Sequence, residues 1–215
     1  MTKSEATTQH HSMKRLLIIF TRNPELGKCK TRLASTVGDE AALAIYIFLL
    51  KHTVQVTENL DVTKQVHYSN KIHHADLWSE DIFDKRQQLG TDLGERMHYA
   101  FEQGFAAGYD QIIIIGSDLY DLKQAELSQA FDAMDDHDYV IGPAEDGGYY
   151  LLGMKQSNPA LFQNKNWGTS SVLKDTLSIL ETENVHLLEQ KNDVDYYEDI
   201  QDIDVFQQFL THLDR

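Results

Sequence analysis

The chain has 215 residues, enough for one sizeable core and too few for two ordinary domains. Its 34 acidic residues outnumber 19 basic ones, a formal charge of −15, which disfavours general attraction to nucleic acid or an anionic membrane and means that any phosphorylated ligand must be met by a local basic patch or a metal ion. The single cysteine, Cys29, excludes an internal disulfide and a cysteine zinc cluster and fits a reducing cytoplasm, while no apolar run approaches the ~20 residues that a membrane helix needs.

Residues 1–13 read as a flexible tail, because Thr2 to Ser12 are polar and lack an apolar signal core; residues 14–215 read as one domain. His10 and His11 fall in that tail. Lys14 to Phe20 is the first expected strand, and Thr21 to Arg32, with Pro24 and Gly27, the loop after it. Asp39 to about Thr57 has helical spacing at Leu43, Ile47 and Leu50. A second strand is expected at Gln65 to Ser69, and His73 to Leu89 is poorly periodic and reads as a surface excursion. Asp92, with Glu95 three residues on, opens a helix whose apolar stripe is Met97, Phe101 and Phe105. Ile112 to Ile115 is a continuous β-branched run, the pattern of a strand buried on both faces. A helix from Asp121 to Met134 follows, then short strands at Tyr139 to Ile141 and Tyr149 to Leu152, a helix from Ser171 to Leu180, a strand at Val185 to Leu188 and a terminal helix through Leu210. This alternation predicts a single-domain α/β sandwich with a mostly parallel central sheet.

Ligands of such sheets bind beyond the carboxyl ends of the strands. Asp118 stands there, after Ile112 to Ile115, and with Asp121 expected to cap the next helix it is left free to hold a divalent cation against a phosphate. In the first loop Gly27 permits close backbone approach, and Lys28, Lys30 and Arg32 concentrate positive charge in an acidic chain, which suits phosphate. The loop has neither the Walker pattern nor Gly-x-Gly-x-x-Gly. Asp193 and Asp195 point to opposite faces if their segment is a strand and reach one metal only if it turns; an ordinary acidic loop is an equal reading. Glu145 and Asp146 precede the pair Gly147-Gly148, read either as a hairpin turn or as a general base beside the acceptor. Tyr149 and Trp167 are large aromatics suited to lining a sugar or base pocket, or to packing.

Five segments together resemble the small bacterial GT-A-like glycosyltransferases found beside radical-SAM and selenium-linked domains, sometimes assigned to arsenosugar biosynthesis. They are Phe20 to Leu33, Asp92 to Met97, Ile115 to Leu122, Gly142-Pro-Ala-Glu-Asp-Gly-Gly-Tyr-Tyr-Leu-Leu-Gly153, and Asp193 to Ile200; Trp167 to Val172 is a weaker sixth. The resemblance implies a GT-A-like, Rossmann-like fold of the nucleotide-diphosphosugar transferase superfamily. Carried over by motif, Arg22, Gly27, Lys30, Thr31, Arg32, Asp92 and Arg96 would bind the nucleotide, and Asp118, Asp193 and Asp195 would hold Mg²⁺ or Mn²⁺. Gly147, Gly148, Tyr149, Trp167 and Ser170 would face the acceptor, with Glu145 or Asp146 as the catalytic carboxylate. Leu119-Tyr120, Gly168 with Ser170, and Tyr196-Tyr197 depart from the family's Cys-Pro, Ser-Thr-Pro and Thr-Pro runs, and Arg22 stands where Lys is usual.

The expected activity is thus a cytoplasmic, metal-dependent glycosyltransferase taking a nucleotide-sugar donor and a small-molecule acceptor, without nucleic acid or membrane insertion. A nucleotidyltransferase joining a nucleoside triphosphate to a phosphorylated metabolite, or an inactive nucleotide-binding protein, are the alternatives.

Overall fold

The computed structural model of the protein describes residues 13–213, so all of the expected tail but Met13, its histidines included, lies outside the described residues. Seven strands form one sheet in the order β3-β2-β1-β4-β6-β5-β7. These are β1 (Arg15–Thr21), β2 (Thr63–Tyr68), β3 (Phe83–Gln87), β4 (Gln111–Ile115), β5 (Tyr139–Pro143), β6 (Tyr149–Met154) and β7 (Val185–Leu187). The pairings are parallel except at β6, which runs antiparallel to β4 and β5.

Alternation along the central strands assigns the core. Leu17, Ile19, Ile113 and Ile115 face one layer, against α2 (Asp39–Thr57) and α4 (Gln124–Asp136). Leu16, Ile18, Ile112 and Ile114 face the other, against Met97 and Phe101 of α3 (Leu93–Ala106). All eight are at most 5 % exposed. Covering both faces in this way is what a run without polar alternation demands, and each such side chain contributes about 1.5–3 kcal/mol by burial. A third cluster joins α1 (Thr31–Val37), α2 and α6 (Asp204–Leu210) through Leu33, Ile45, Leu49 and Phe206. The remaining helix is α5 (Val172–Ile179).

Three expectations are corrected. The excursion at His73 to Leu89 contains β3, an edge strand whose Asp84, Lys85 and Arg86 give it charge instead of apolar alternation, a pattern that discourages pairing with other chains. Thr31 to Val37 is a helix and not the end of a loop; it is only 7 residues long and shows the sequence just one apolar pair, Leu33 and Val37. Finally, α4 begins at Gln124. The Lys123 backbone N–H donates to Glu126 Oε2 at 2.8 Å, while Asp121 lies 3.5 Å from Lys191 Nζ and caps nothing.

Candidate active site

The parallel register brings the ends of β1 and β4 level, and a buried hydroxyl network ties them. Ser117 Oγ donates to Thr21 Oγ1 at 3.3 Å. Tyr46, reaching in from α2, places its hydroxyl 3.3 Å from each of those oxygens and accepts the Arg22 backbone N–H at 2.9 Å. Burial pushes the Tyr46 phenol up, so it stays neutral and keeps its proton for this network. Tyr46 is a positioning residue that sequence reading missed, because its place on the helical stripe marks it only as core.

The first loop then folds back over the sheet end. Lys30 adopts a left-handed backbone, φ 49° and ψ 45°, which costs a non-glycine residue about 1–3 kcal/mol and concentrates at functional sites. That conformation returns its side chain to the sheet. Nζ donates to Asp118 Oδ2 at 2.7 Å and to Asp195 Oδ1 at 2.9 Å, and the side chain is 5 % exposed. Burial opposes the charge, but Asp118 and Asp195 outweigh it and hold the amine protonated well above its ordinary range. Arg32 Nη1 donates to Asp195 Oδ2 at 3.0 Å, with its guanidinium 5.6 Å from the Tyr196 ring centroid. Asp118 is therefore paired, not free as its sequence context suggested.

The acidic segment does turn. Asp195 N–H donates to Asp193 O at 3.1 Å, and Val194 N–H donates to Asp118 O at 3.2 Å, docking the segment on the end of β4. Asp195 faces Lys30 and Arg32. Asp193 goes the other way: its Oδ1 is buried and lacks a hydrogen-bond partner. Burial first, and then Asp118, push its carboxyl up to about 8, against the pull of Lys30. Among the described residues no three His, Cys, Asp or Glu side chains form a ready metal cluster. An orphaned carboxylate oxygen beside a second carboxylate nevertheless fits a hard divalent cation, since Mg²⁺ needs only one or two carboxylates when phosphates and water complete its shell. Asp118 and Asp193 are the residues that would hold it, and Asp195 serves the basic loop.

The raised Asp193 pKa has a sign. The native state holds a proton that the unfolded chain, with an aspartate near 3.9, gives up, so this group's contribution is full below about pH 4 and is lost as pH rises through 8. Asp193→Asn is expected to be more stable than wild type at pH 8 in chelator, with the gap closing toward pH 5. Melting curves across that range check it, and a constant gap would remove Asp193 from the account.

Beyond Asp193 lies a cavity of about 220 Å³ under the open end of the sheet. Phe20, Met97, Leu152, Trp167 and Val172 are among its walls, with Gly148 and Tyr149, and Asp146 stands at it with Asp193. Asp146 is exposed and held by an Asx turn, its Oδ1 accepting the Gly148 N–H at 2.8 Å. Gly147 has φ +87°, and a Cβ there would meet Ser170 O at 2.4 Å, so this turn can press on the loop before α5 only as glycine. Gly94 does the same for Trp167, whose ring would lie 2.5 Å from an added Cβ.

Several expected site residues lie elsewhere or act indirectly. Glu145 is exposed, outside the cavity walls, with its N–H on Lys191 O. Ser170 and Gly147 brace the wall from behind. Asp92 caps α3, accepting Glu95 N–H at 2.8 Å, while Glu95 reaches back to Thr91. Arg96 Nε donates to Gly90 O at 3.1 Å. Asp92 and Arg96 thus shape the loop entering α3 and make no contact with Lys30 or Arg32. Arg22 and Gly27 are exposed along the first loop and Thr31 at the start of α1, as a ligand-facing segment requires.

The protein is similar to a "putative nucleotide-diphospho-sugar transferase" from Desulfovibrio desulfuricans G20, with 28 % identity and a TM-score of 0.82 over 94 % of this chain and 96 % of that one. More distant is 4-diphosphocytidyl-2C-methyl-D-erythritol synthase from Anaerococcus prevotii DSM 20548, at 8 % identity and a TM-score of 0.57 over 94 % and 97 % of the two chains. Rv0371c of Mycobacterium tuberculosis H37Rv, solved in complex with manganese, shares 13 % identity at a TM-score of 0.55 over 93 % and 99 %. No curated protein matches the sequence. The fold is GT-A-like, as the motif resemblance implied, with the α/β alternation that the sequence pattern predicted, and structures described as a nucleotide-diphospho-sugar transferase and as a cytidylyltransferase share it. The sequence pattern of one family spans residues 52–169, more than half of the chain, and the protein belongs to that family, described as an uncharacterized protein conserved in bacteria (DUF2064).

Proposed function

We propose that the protein transfers a glycosyl group from a nucleotide-diphosphate sugar to a small hydroxylated acceptor. The observation that carries this reading is the division of charge across the cleft. Lys30 at the end of the first loop and Arg32 in the first turn of α1 stand where a diphosphate needs cations, whereas among the described residues the cavity is lined by no Lys or Arg and by the acids Asp146 and Asp193. A carboxylate suits an acceptor hydroxyl that must lose a proton; it repels the phosphorylated acceptor that the nucleotidyl alternative requires. The motif segments that resemble the radical-SAM- and selenodomain-associated glycosyltransferases support the same branch.

In this reading Lys30 and Arg32 exchange their carboxylate partners for diphosphate oxygens, and the loop holds the leaving group in place. Asp146 accepts the proton of the acceptor hydroxyl. The acceptor oxygen bonds to the anomeric carbon, the bond from that carbon to the diphosphate oxygen breaks, and the electron pair leaves with the nucleoside diphosphate. A divalent cation bound by Asp118 and Asp193 would supply charge stabilisation for that leaving group.

Purified protein incubated with nucleotide sugars and Mn²⁺ is expected to release nucleoside diphosphate slowly even without acceptor, because water substitutes for it. Steady pyrophosphate release from a nucleoside triphosphate with a phosphorylated acceptor, and no cleavage of any nucleotide sugar, would move the protein to the nucleotidyltransferases. Arg32→Ala is expected to weaken a nucleoside diphosphate by about one to two decades and the bare nucleoside little, since a charge-assisted phosphate contact is worth about 1.5–3 kcal/mol. Equal losses for both, measured by calorimetry, would make the loop purely structural.

A further inference from the structure

We infer that the acceptor is a small molecule with an apolar body and no phosphate, bound by that body in the cavity beside Asp146. The inference rests on the glycosyl-transfer reading for the word acceptor, but its physical basis is separate: the walls and size of the cavity.

The walls come mainly from the apolar layer that packs on α3. Phe20 comes from β1, Leu93 and Met97 from α3, Leu152 from β6, Trp167 from the loop before α5 and Val172 from α5 itself. Polar groups in the walls are Asp146, Asp193, Thr169, the Trp167 indole and the hydroxyls of Tyr149 and Tyr150, of which Tyr150 is spent on Glu189 O at 3.1 Å and Tyr149 lacks a partner. A sugar ring placed here would leave most of its hydroxyls facing hydrocarbon, at a cost for each unpaired group. The donor sugar is therefore a poor occupant. A phosphate is worse, because among the described residues no Lys or Arg lines the cavity and the Asp146 carboxylate stands at it. An aromatic or branched aliphatic group meets neither penalty and gains its burial energy.

The size agrees. An apolar cavity of about 150 Å³ holds a benzene ring, so about 220 Å³ takes a ring with a one- or two-atom substituent. Such a substituent, carrying the hydroxyl, points out past Asp146, where the proton must go. Asp146 also tolerates a cationic amine on the same body. The pressed contacts Gly147 on Ser170 and Gly94 on Trp167 fix the far wall, so the cavity is built into the packing and not left between loose loops.

The test uses the whole protein saturated with nucleoside diphosphate and Mn²⁺, and reads tryptophan emission. Trp167 is in the cavity wall, while Trp78, 2 % exposed in the opposite layer, supplies a constant background. The probes are benzyl alcohol, benzylamine, benzyl phosphate and glycerol. Benzyl alcohol and benzylamine are expected to change the emission saturably and to bind at least about tenfold tighter than benzyl phosphate or glycerol, the size of discrimination a desolvated site gives. Val172→Phe, which fills the cavity, should abolish the response. Thr169→Phe, at an exposed rim position, does the same with less risk to folding. Benzyl phosphate or glycerol binding as tightly as the alcohol, or alcohol binding that survives both filled variants, would overturn the inference. The donor-cleavage assay reports on the function independently: cleavage without probe binding sinks the acceptor class alone, and probe binding without cleavage of any nucleotide sugar sinks the glycosyl-transfer reading alone.

Discussion

Asp146→Asn is expected to slow glycosyl transfer by about two to four decades, the range that a positioned general base supplies. The substitution is close to isosteric and keeps the local structure. Asp146 Oδ1 accepts the Gly148 N–H, and an asparagine Oδ1 does so equally well, so the turn and the pressed Gly147 contact survive. What is lost is the second oxygen's ability to take a proton. The loss falls on kcat with saturating acceptor, while the Kd of the nucleoside diphosphate, held across the cleft by Lys30 and Arg32, is expected to stay unchanged. Turnover assays paired with calorimetry separate the two. A variant that transfers normally, or one that loses donor affinity in step with its rate, would take the base away from this turn.

Much of this arrangement is legible in the amino-acid sequence itself. Ile112 to Ile115 reads as a strand covered on both faces, which it is, and that places Asp118 at the ligand-binding edge. The Asp-Gly turn between two short apolar runs gives the β5–β6 hairpin. What sequence spacing does not carry is the pairing of charges over long separations. Lys30 is 88 residues from Asp118 and 165 from Asp195, and nothing local announces that one ammonium will stand between two acids. Cap reasoning failed for a related cause. Asp121 has the right residue type at the right distance from a helix, but a buried lysine, Lys191, draws it away, and that contact is not local either.

The cavity was half legible. Tyr149 and Trp167 stand out as aromatics near a Gly-rich turn and do line it. Phe20, Met97 and Val172 do not stand out, because a residue that walls a pocket and one that fills a core obey the same apolar periodicity. Glycine carried the better signal: Gly94 and Gly147 are each required by one close approach, and both approaches shape the cavity wall.

Lys30→Met is expected to lower the melting temperature in chelator at pH 8 and to make the protein more responsive to Mn²⁺ than wild type. Methionine keeps most of the side chain's volume and removes its charge. Three acids then face one another with their buried counter-ion gone, since Lys30 bonds two of them and pulls on the third. Removing one partner of a fully buried pair costs about 3–5 kcal/mol, but Asp118 and Asp195 are each about a third exposed, so solvent reduces the expected loss to about 1–3 kcal/mol. For a chain of this length that is roughly 3–10 °C. The pH dependence has a definite direction. Asp195 is held below the usual carboxylate range by Lys30 despite its burial, so in wild type the pair contributes above about pH 4 and fades below it. The variant's deficit is accordingly larger at pH 8, where wild-type Asp193 has begun to ionise and its charge is no longer offset, than at pH 5, where Asp193 holds its proton. A dication bound by Asp118 and Asp193 replaces the missing positive charge, which is why Mn²⁺ should raise the variant's melting temperature by more than it raises that of wild type. Melting curves at pH 5 and 8, with chelator and with Mn²⁺, test both halves together. A variant as stable as wild type at pH 8, or one whose Mn²⁺ response is no larger, would mean that Lys30 does not stand in for a cation between these acids.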